Sequence, residues 1–265
     1  MDNPARTEAA PLLLRTIERG VATLTLNRPE EYNLLSGDML AALDDALNAL
    51  ARDPAARVVI LAATGPAFCA GHDLKTLRGG APDAVQQLFT FCTQVMERLR
   101  LFAKPTIAQV QGNAVAAGLQ LASSCDLVMA AEGARFGATG IKAGLFCSTP
   151  MVPFSRAVTG KKALEMLLTG DMLEASAMEA LGLVNHVVPP AELADRTMEL
   201  ALKIARNSPY ALAIGKQAYY RQKDMPMEHA YQIGQETMVG NILSEEGQEG
   251  ITAFLEKRKP SYSDI

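Results

Sequence analysis

Short apolar segments alternate with amphipathic stretches along the first half of the chain. Residues 12–17 and 21–26 are two such segments, and the turn-forming residues 18–20 between them predict a β-hairpin. Ser36 is a suitable N-cap, because apolar residues follow it at helical spacing as far as Arg52. This alternation of strand and helix signals favours an α/β core.

The same two patterns divide the rest of the chain. Strands are predicted at residues 58–62, 106–110, 126–130, 134–137 and 183–188, and helices at residues 85–99, 161–169, 175–181, 191–206, 209–223 and 227–245. Strand signals become sparse after Gly144. We therefore predict an α/β core over residues 1–190 and a helical region over residues 191–265.

Composition excludes several classes of protein. The 265 residues carry a net charge of −4 without a long basic run, so nucleic acid is not an expected partner. No window of about 18 consecutive apolar residues predicts a membrane span. The N-terminus is typical of a short flexible lead-in and not of a secretion signal. The 4 widely spaced cysteines and 3 histidines predict no metal site and reduced thiols, as in a cytoplasmic protein.

The stretch KPTIAQVQGNAVAAGLQLASSCD, residues 104–126, carries the clearest candidate site. An apolar strand ends in a Gln-Gly-Asn turn, and the helix that follows has only small side chains in its first turn, Ala116-Ala117-Gly118. The first amides of a helix have no partner within it, and the helix dipole adds partial positive charge there. A substrate oxygen could approach these amides, so the turn suits an oxyanion. The other interpretation is that the small residues only permit close packing.

Several stretches in register carry a family resemblance. They are Asn27-Arg28-Pro29, FCAGHDL (68–74), VQGNAVAAGLQLASSCDL (110–127), ARFG (134–137), LLTGDMLEASAMEALGLVNHVV (167–188) and GITAFLEKRKPSY (250–262). With them the chain resembles the crotonase, or enoyl-CoA hydratase/isomerase, superfamily along nearly its whole length. The resemblance implies a spiral of ββα repeats with a C-terminal helical trimerisation region, assembled as a homotrimer or a dimer of trimers. It also implies an acyl-CoA thioester as ligand and no separate cofactor, since coenzyme A is part of the substrate.

The resemblance also implies roles for individual residues. The backbone amides of His72 and Ala117 would form the oxyanion hole for the thioester oxygen, each worth about 3 kcal/mol. The adenine end of coenzyme A would lie against the loop Ala70-Gly71-His72-Asp73-Leu74. Arg28 and Lys257, the latter from the same or a neighbouring subunit, would face phosphates, although surface cations are more often only solvated.

The chain departs from the family hydratases at two positions. Those enzymes add water with two glutamates, and the corresponding positions here are Gln120 and Gly140. An amide can hold a water but cannot take its proton, and glycine has no side chain. No carboxylate occurs between Glu132 and Glu165. Since general acid–base help is worth roughly 10² to 10⁴-fold per group, we expect weak or absent hydratase activity.

Other groups could replace the missing carboxylates. The His72 imidazole is beside the predicted oxyanion site, and Cys147, Ser148 and Lys142 are weaker candidates, with Cys147 more simply a buried, inert thiol. Asp73 is better explained as a cap than as an acid. By resemblance we expect an acyl-CoA-binding, enoyl-CoA hydratase-like lyase that keeps the oxyanion hole but has lost both hydratase carboxylates. A decarboxylase, a thioester hydrolase and a non-catalytic acyl-CoA binding protein stay open at this point.

Overall fold

The computed structural model describes residues 10–262, in which short groups of strands and helices follow one another as far as residue 192. The strands are β1 (Leu13–Glu18), β2 (Val21–Leu26), β3 (Val58–Ala63), β4 (Ala67–Cys69), β5 (Thr106–Val110), β6 (Asn113–Val115), β7 (Leu127–Ala131), β8 (Arg135–Gly137), β9 (Met172–Glu174) and β10 (His186–Val188). The helices are α1 (Gly37–Ala51), α2 (Leu74–Leu77), α3 (Pro82–Leu101), α4 (Ala117–Ser124), α5 (Met151–Ala157), α6 (Gly160–Thr169), α7 (Ala175–Ala180), α8 (Leu193–Ala205), α9 (Pro209–Gln222), α10 (Met227–Leu243) and α11 (Glu245–Leu255).

Two sheets form the framework. The larger sheet has the order β1-β2-β3-β5-β7-β10 and is parallel except for the β1–β2 hairpin. The smaller has the order β4-β6-β8-β9, with β9 antiparallel to β8. Each turn of the chain therefore adds one strand to each sheet before a helix returns: β3, β4 and α3, then β5, β6 and α4. This is the predicted spiral of ββα repeats.

Apolar packing lies on both faces of the larger sheet. The main core includes α1, α3 and α4, with fully buried residues such as Leu43 and Leu119. A second cluster joins the opposite sheet face to Leu193, Ala201 and Ala205 of α8. Helix α8 thus packs directly on the larger sheet. The division of the chain into an α/β core over residues 1–190 and a helical region over residues 191–265 stays a prediction.

A buried ion pair attaches the C-terminal helices to this framework. Asp126 accepts hydrogen bonds from the Thr106 amide at 2.7 Å and the Tyr220 hydroxyl at 2.9 Å. It also accepts from the Thr106 hydroxyl at 2.9 Å and contacts the Lys216 ammonium of α9 at 2.7 Å, and the side chains of Asp126 and Lys216 are largely buried. Removing one partner would leave an uncompensated buried charge, so the pair fixes α9 against the start of β5 and β7.

The local predictions agree with this structure where their signals are strong. The predicted hairpin forms, with Glu18 paired to Val21 next to the turn, and the Ser36 hydroxyl accepts from the Met39 amide at 3.1 Å to cap α1. The single helix predicted over residues 227–245 is two helices, because Ser244 ends α10 and caps α11 through the Gly247 amide. Residues 1–9 of the predicted lead-in lie outside the described residues.

Candidate active site

The two predicted oxyanion loops meet at Gly71. This residue has φ +98°, and a Cβ atom placed on it would lie 3.3 Å from the Ala117 amide nitrogen and 3.2 Å from Val115 O. A Cβ on Gly118 would overlap the Cys69 carbonyl, so the first turn of α4 rests on the end of β4. Glycine at both positions therefore allows the His72 and Ala117 amides to lie close together.

The turn into α4 is strained. Ala116 has φ +50° and ψ −115°, a conformation that costs an alanine on the order of 1–3 kcal/mol. The Ala116 amide is held by Gly137 O at 2.9 Å, and the helix begins at the next residue. Within the described residues, neither the Ala117 amide nor the His72 amide donates a hydrogen bond to the protein. Both donors are free for a ligand oxygen.

A cavity of about 600 Å³ opens beside these amides. Its walls are mostly apolar and come from the loop after β4, from α2 and α3, from the start of α4 and from the segment after β8. The lining residues are Ala70, His72, Leu74, Leu77, Phe89, Ala116, Ala117, Thr139, Gly140, Lys142, Ala143, Leu145, Phe146, Cys147, Ser148, Thr149 and Pro150. No aspartate or glutamate of residues 10–262 is among them, and the Lys142 side chain is 58% exposed with its amine 3.8 Å from Asp171. We call this space the acyl cavity.

The His72 ring forms part of the cavity wall. Its Nδ1 lies 2.8 Å from Leu35 O, which can only accept, so Nδ1 carries the proton and Nε2 has the lone pair. Nε2 is buried and has no partner within the described residues. Burial lowers the pKa of His72, although the bond to Leu35 O acts in the opposite direction. The ring packs edge-on against Phe89, with 5.1 Å between the centroids. His72 is therefore a neutral imidazole in the wall of the cavity.

Gly140 and Cys147 occupy one corner of the acyl cavity. A Cβ atom on Gly140 would lie 2.6 Å from Leu145 O and 2.9 Å from the Cys147 Sγ. Burial raises the pKa of the Cys147 thiol, with a weaker opposing effect from a hydrogen bond to the Gly140 backbone. The thiol is buried and protonated, as the simpler interpretation of the sequence held. Ser148 is exposed and bonds to Phe146 O at 3.3 Å.

Gln120 does not line the acyl cavity. It lies one turn after Ala117 on α4, only 3% exposed, and its side chain lines a second cavity of about 530 Å³. Its Oε1 atom has no hydrogen-bond partner within the described residues. The positions proposed for the two family glutamates are thus divided between two cavities, with only Gly140 in the acyl cavity.

The predicted coenzyme A contacts are only partly grouped around this cavity. Ala70 and Leu74 line it with His72, while Asp73 caps α2 through the Lys75 amide at 2.8 Å. Arg28 and Lys257 do not line it.

Those two cations have other surroundings in this chain. The Arg28 guanidinium donates to the carbonyls of Ala10 at 2.7 Å, Pro11 at 3.2 Å and Asn27 at 2.7 Å, and so holds the end of the lead-in. Lys257 is exposed after α11. Their phosphate contacts stay predictions.

Comparison with known proteins places the chain in a family. The model of the enoyl-CoA hydratase/isomerase family matches residues 16–265, and the chain belongs to that family. It is 42% identical over 259 residues to human "Enoyl-CoA hydratase domain-containing protein 3, mitochondrial", covering 97% of this chain and 84% of that one. It is 34% identical over 253 residues to 2,3-dehydroadipyl-CoA hydratase of Escherichia coli (strain K12), covering 94% and 98%.

Solved structures agree on the fold. An enoyl-CoA hydratase of Mycobacterium smegmatis superposes with TM-score 0.93 at 47% identity, covering 96% of this chain and 99% of that one. The structure of human enoyl-CoA hydratase domain-containing protein 3 superposes with TM-score 0.90 at 40% identity, covering 95% of this chain and 100% of that one. None of the helices in residues 10–262 is long and apolar enough to cross a membrane. The human relative is named as mitochondrial, and the cytoplasmic location stays a prediction for this chain.

Proposed function

We propose that the protein binds an acyl-CoA thioester with its carbonyl oxygen between the His72 and Ala117 amides. The observation that carries this proposal is the approach of Gly71 to the Ala117 nitrogen beside an open cavity, with both amides free. Two donors aimed at one oxygen favour the enolate-like state over the neutral thioester, because charge accumulates on that oxygen. Stabilisation of an enolate-like state is the common requirement of crotonase-family chemistry.

The cavity wall supports an uncharged apolar acyl group. Leu77, Phe89 and Phe146 contribute apolar surface, and Lys142, the one lysine or arginine of residues 10–262 in the wall, lies 3.8 Å from Asp171. A terminal carboxylate would be desolvated there without a partner, which is costly. The name of the Escherichia coli relative indicates a dehydroadipyl thioester as its substrate. The acyl group that we propose for this protein is therefore a different one.

The reaction proposed is enoyl-CoA hydratase-like, with weak hydration. No carboxylate from the described residues reaches the acyl cavity, Gly140 is bare, and Gln120 faces elsewhere. The neutral His72 imidazole lies in the same wall with an unpaired acceptor, Nε2, but that atom is buried. We expect enolate stabilisation to be retained and proton transfer to water to be the deficient step.

Binding measurements test the oxyanion assignment without requiring turnover. A thioester and the matching S-alkyl-CoA thioether differ in the carbonyl alone. Two hydrogen bonds of about 1 kcal/mol each predict roughly 30-fold tighter binding of the thioester. An isotope-edited infrared spectrum of the bound thioester should show a lowered carbonyl frequency. Equal dissociation constants and an unshifted carbonyl band would contradict the proposal.

A non-catalytic acyl-CoA binding protein is the second candidate. Among the described residues no carboxylate lines the acyl cavity, which favours this candidate because binding needs no proton transfer. Turnover across enoyl-, malonyl- and 3-hydroxyacyl-CoA substrates separates the two, and it also tests the decarboxylase and thioester hydrolase alternatives. No product from any of them, with tight thioester binding, would support the binding protein.

We also propose a homotrimer or a dimer of trimers. Large apolar side chains of α10 and α11 are exposed in the single chain, including Leu243, Phe254 at 82% and Leu255 at 73%. Exposed apolar patches of this kind are usually covered by a partner. Sedimentation should give a trimer or hexamer at micromolar concentration, and a stable monomer would refute the assembly.

A further inference from the structure

The segment that follows β2 bends sharply and packs on the loop that carries the His72 amide. Pro29–Glu31 form one turn of 3-10 helix, and the next two residues, Tyr32 and Asn33, are both left-handed, with φ +52° and +54°. This conformation is uncommon outside glycine, although asparagine adopts it more readily than most residues. It persists only where the surrounding structure holds it. We call residues 28–35 the corner segment.

Asn33 supplies much of that support. It is 0% exposed, and its backbone amide donates to Arg28 O at 2.9 Å while its Oδ1 accepts from the Arg28 amide at 2.9 Å. Its Nδ2 donates to Thr64 O and to Ala67 O, each at 2.9 Å. These partners leave one orientation for the carboxamide, because carbonyls only accept and a backbone amide only donates. Asn33 therefore joins the corner segment to both sides of the turn between β3 and β4.

The contact between the corner segment and this turn is close. A Cβ atom on Gly65 would lie 2.4 Å from the Cβ atom of Pro29, so the two backbones pack together without a side chain between them. A shift of the corner segment would therefore be felt at the turn, and a shift of the turn would be felt at the corner segment. The carboxamide of Asn33 connects the two.

The corner segment also binds three consecutive residues of the loop that follows β4. The Ala70 amide donates to Tyr32 O at 3.0 Å. The Leu35 amide donates to Gly71 O at 2.8 Å, and Leu35 O lies 2.8 Å from the His72 Nδ1 atom. These bonds act on the residue that carries the first oxyanion donor and on the two residues before it. The direction of the His72 amide thus depends on where the corner segment lies.

The second oxyanion donor has a different support. The Ala117 amide begins α4, and the residue before it is held by Gly137 O of β8. Pairing of β4 with β6 connects the two supports, but this pairing ends at Cys69. Beyond that residue the loop is hydrogen-bonded to the corner segment. The separation of the two donors is therefore set from two sides, and the corner segment is one of them.

We propose that Asn33 is a positioning residue for the oxyanion hole, which sets the distance between the His72 and Ala117 amides by fixing the corner segment. None of residues 28–35 lines the acyl cavity, so Asn33 acts only through the backbone of residues 70–72. The proposal rests on the proposed function for the meaning of the two amides. A purely structural role would lower the stability of the fold and leave the alignment of the two donors unchanged.

Asn33→Gly tests the proposal most directly. Glycine adopts positive φ without strain, so this variant removes the carboxamide while the backbone can keep its conformation. The loop at residues 70–72 should then shift. We expect the preference for a thioester over its thioether to fall from roughly 30-fold to about 5-fold, because one of two hydrogen bonds to the oxygen is lost. The infrared carbonyl frequency of the bound thioester should rise towards its value in solution.

Asn33→Asp is a second variant with nearly the same shape. One carboxylate oxygen can still accept from the Arg28 amide. The other replaces Nδ2 and faces Thr64 O and Ala67 O, which are also acceptors. We expect the thioester preference to fall at least as far as in Asn33→Gly. A parent-like preference in either folded variant would overturn the proposal.

Two control variants separate donor alignment from other effects. Leu193→Ala removes a buried side chain from the cluster on the opposite face of the larger sheet, so it lowers stability away from the site. Arg19→Gly places glycine at another left-handed position, with φ +50°, in the β1–β2 turn. Both should keep the parent ratio of thioester to thioether affinity. If Leu193→Ala lost the preference as Asn33→Gly does, the effect would be one of stability, and the positioning role would be wrong.

Crystal structures of the ligand-free parent and of Asn33→Gly decide the question without a ligand. The distance between the His72 and Ala117 amide nitrogens should change by about 0.5 Å or more, the tolerance of a preorganised site. An unchanged distance would overturn the proposal while leaving the oxyanion assignment intact. Equal binding of thioester and thioether by the parent would refute the proposed function instead, and the two structures would still show whether Asn33 sets this distance.

Discussion

Gly71→Ala is the sharpest perturbation of the oxyanion site. The new methyl group would lie 3.2 Å from Val115 O and from the Ala116 Cβ, and 3.3 Å from the Ala117 nitrogen. These contacts are tighter than ordinary van der Waals contact, so the two loops must separate by a few tenths of an ångström or the methyl must shield the Ala117 amide. Either response spoils the alignment of two donors on one oxygen.

The magnitude follows from the two hydrogen bonds. If each contributes about 1 kcal/mol to binding of the neutral thioester, their loss removes a roughly 30-fold preference over the thioether. The effect on an enolate-like state is larger, because one oxyanion donor is worth about 3 kcal/mol, or on the order of 10²-fold in rate. Affinity for the thioether should change little.

Alanine at positive φ has its own cost, and a matched control is available. Gly79 has φ +72°, and a Cβ atom there would meet nothing within 4 Å. Gly79→Ala therefore carries a similar backbone strain, about 1–2 kcal/mol, without contact to the site. Thermal unfolding should show at least as much destabilisation for Gly71→Ala as for Gly79→Ala, because only Gly71→Ala adds close contacts to the backbone strain.

The assay is the ratio of thioester to thioether dissociation constants for the parent and the two variants. We expect a ratio near 1 for Gly71→Ala, and the parent ratio for Gly79→Ala. A folded Gly71→Ala protein that keeps the full thioester preference and the same carbonyl frequency would refute the assignment of this hole.

Other outcomes follow from the same structure. Gly140→Glu should destabilise the fold by about 1–3 kcal/mol, because its Cβ collides with Leu145 O, and thermal unfolding will measure this. For the same reason, Gly140→Glu with Gln120→Glu should give less than the roughly 10²-fold gain in crotonyl-CoA hydration expected of two free carboxylates. Straight-chain acyl-CoA ligands should bind about fourfold more tightly per added methylene until the cavity is filled, since each contributes about 0.8 kcal/mol, and calorimetry of a chain-length series will test this. His72 has a lowered pKa when folded, so the unfolded chain binds its proton first, and stability should fall as pH drops below the usual value of 6.5. His72→Gln should remove this part of the pH dependence in denaturant titrations.

Local signals predicted the framework because they act within a few residues. The Ser36 cap and the β1–β2 hairpin depend on near neighbours, and both form as expected. The strands β4, β6 and β9 have three residues each, too few for a period to be visible. Helix α5 was missed because Pro150 and Pro153 interrupt its pattern, although Pro153 lies in the first turn, where proline is tolerated.

The sequence predicted the backbone groups of the site better than the directions of its side chains. The bare first turn of α4 indicated free amides, and family resemblance paired Ala117 with His72. The direction of the Gln120 side chain depends on how α4 packs between α3 and α5, which no local pattern encodes. The strain at Ala116 was equally invisible, since alanine gives no signal for positive φ.

The bare corner at Gly140 is a property of the whole loop that follows it. The Leu145 amide donates to Gly140 O at 2.9 Å, and the Gly144 amide donates to Ile141 O at 3.0 Å, so the segment folds back on its own start. This turn brings Leu145 O and the Cys147 thiol into the volume that a side chain at residue 140 would need. Gly140 does not have a positive φ, so glycine is needed at this position only because there is no space for a side chain. A carboxylate could therefore act from this corner only if residues 140–147 moved with it. The weak hydratase activity that we propose would then be fixed by the loop conformation as much as by the identity of one residue.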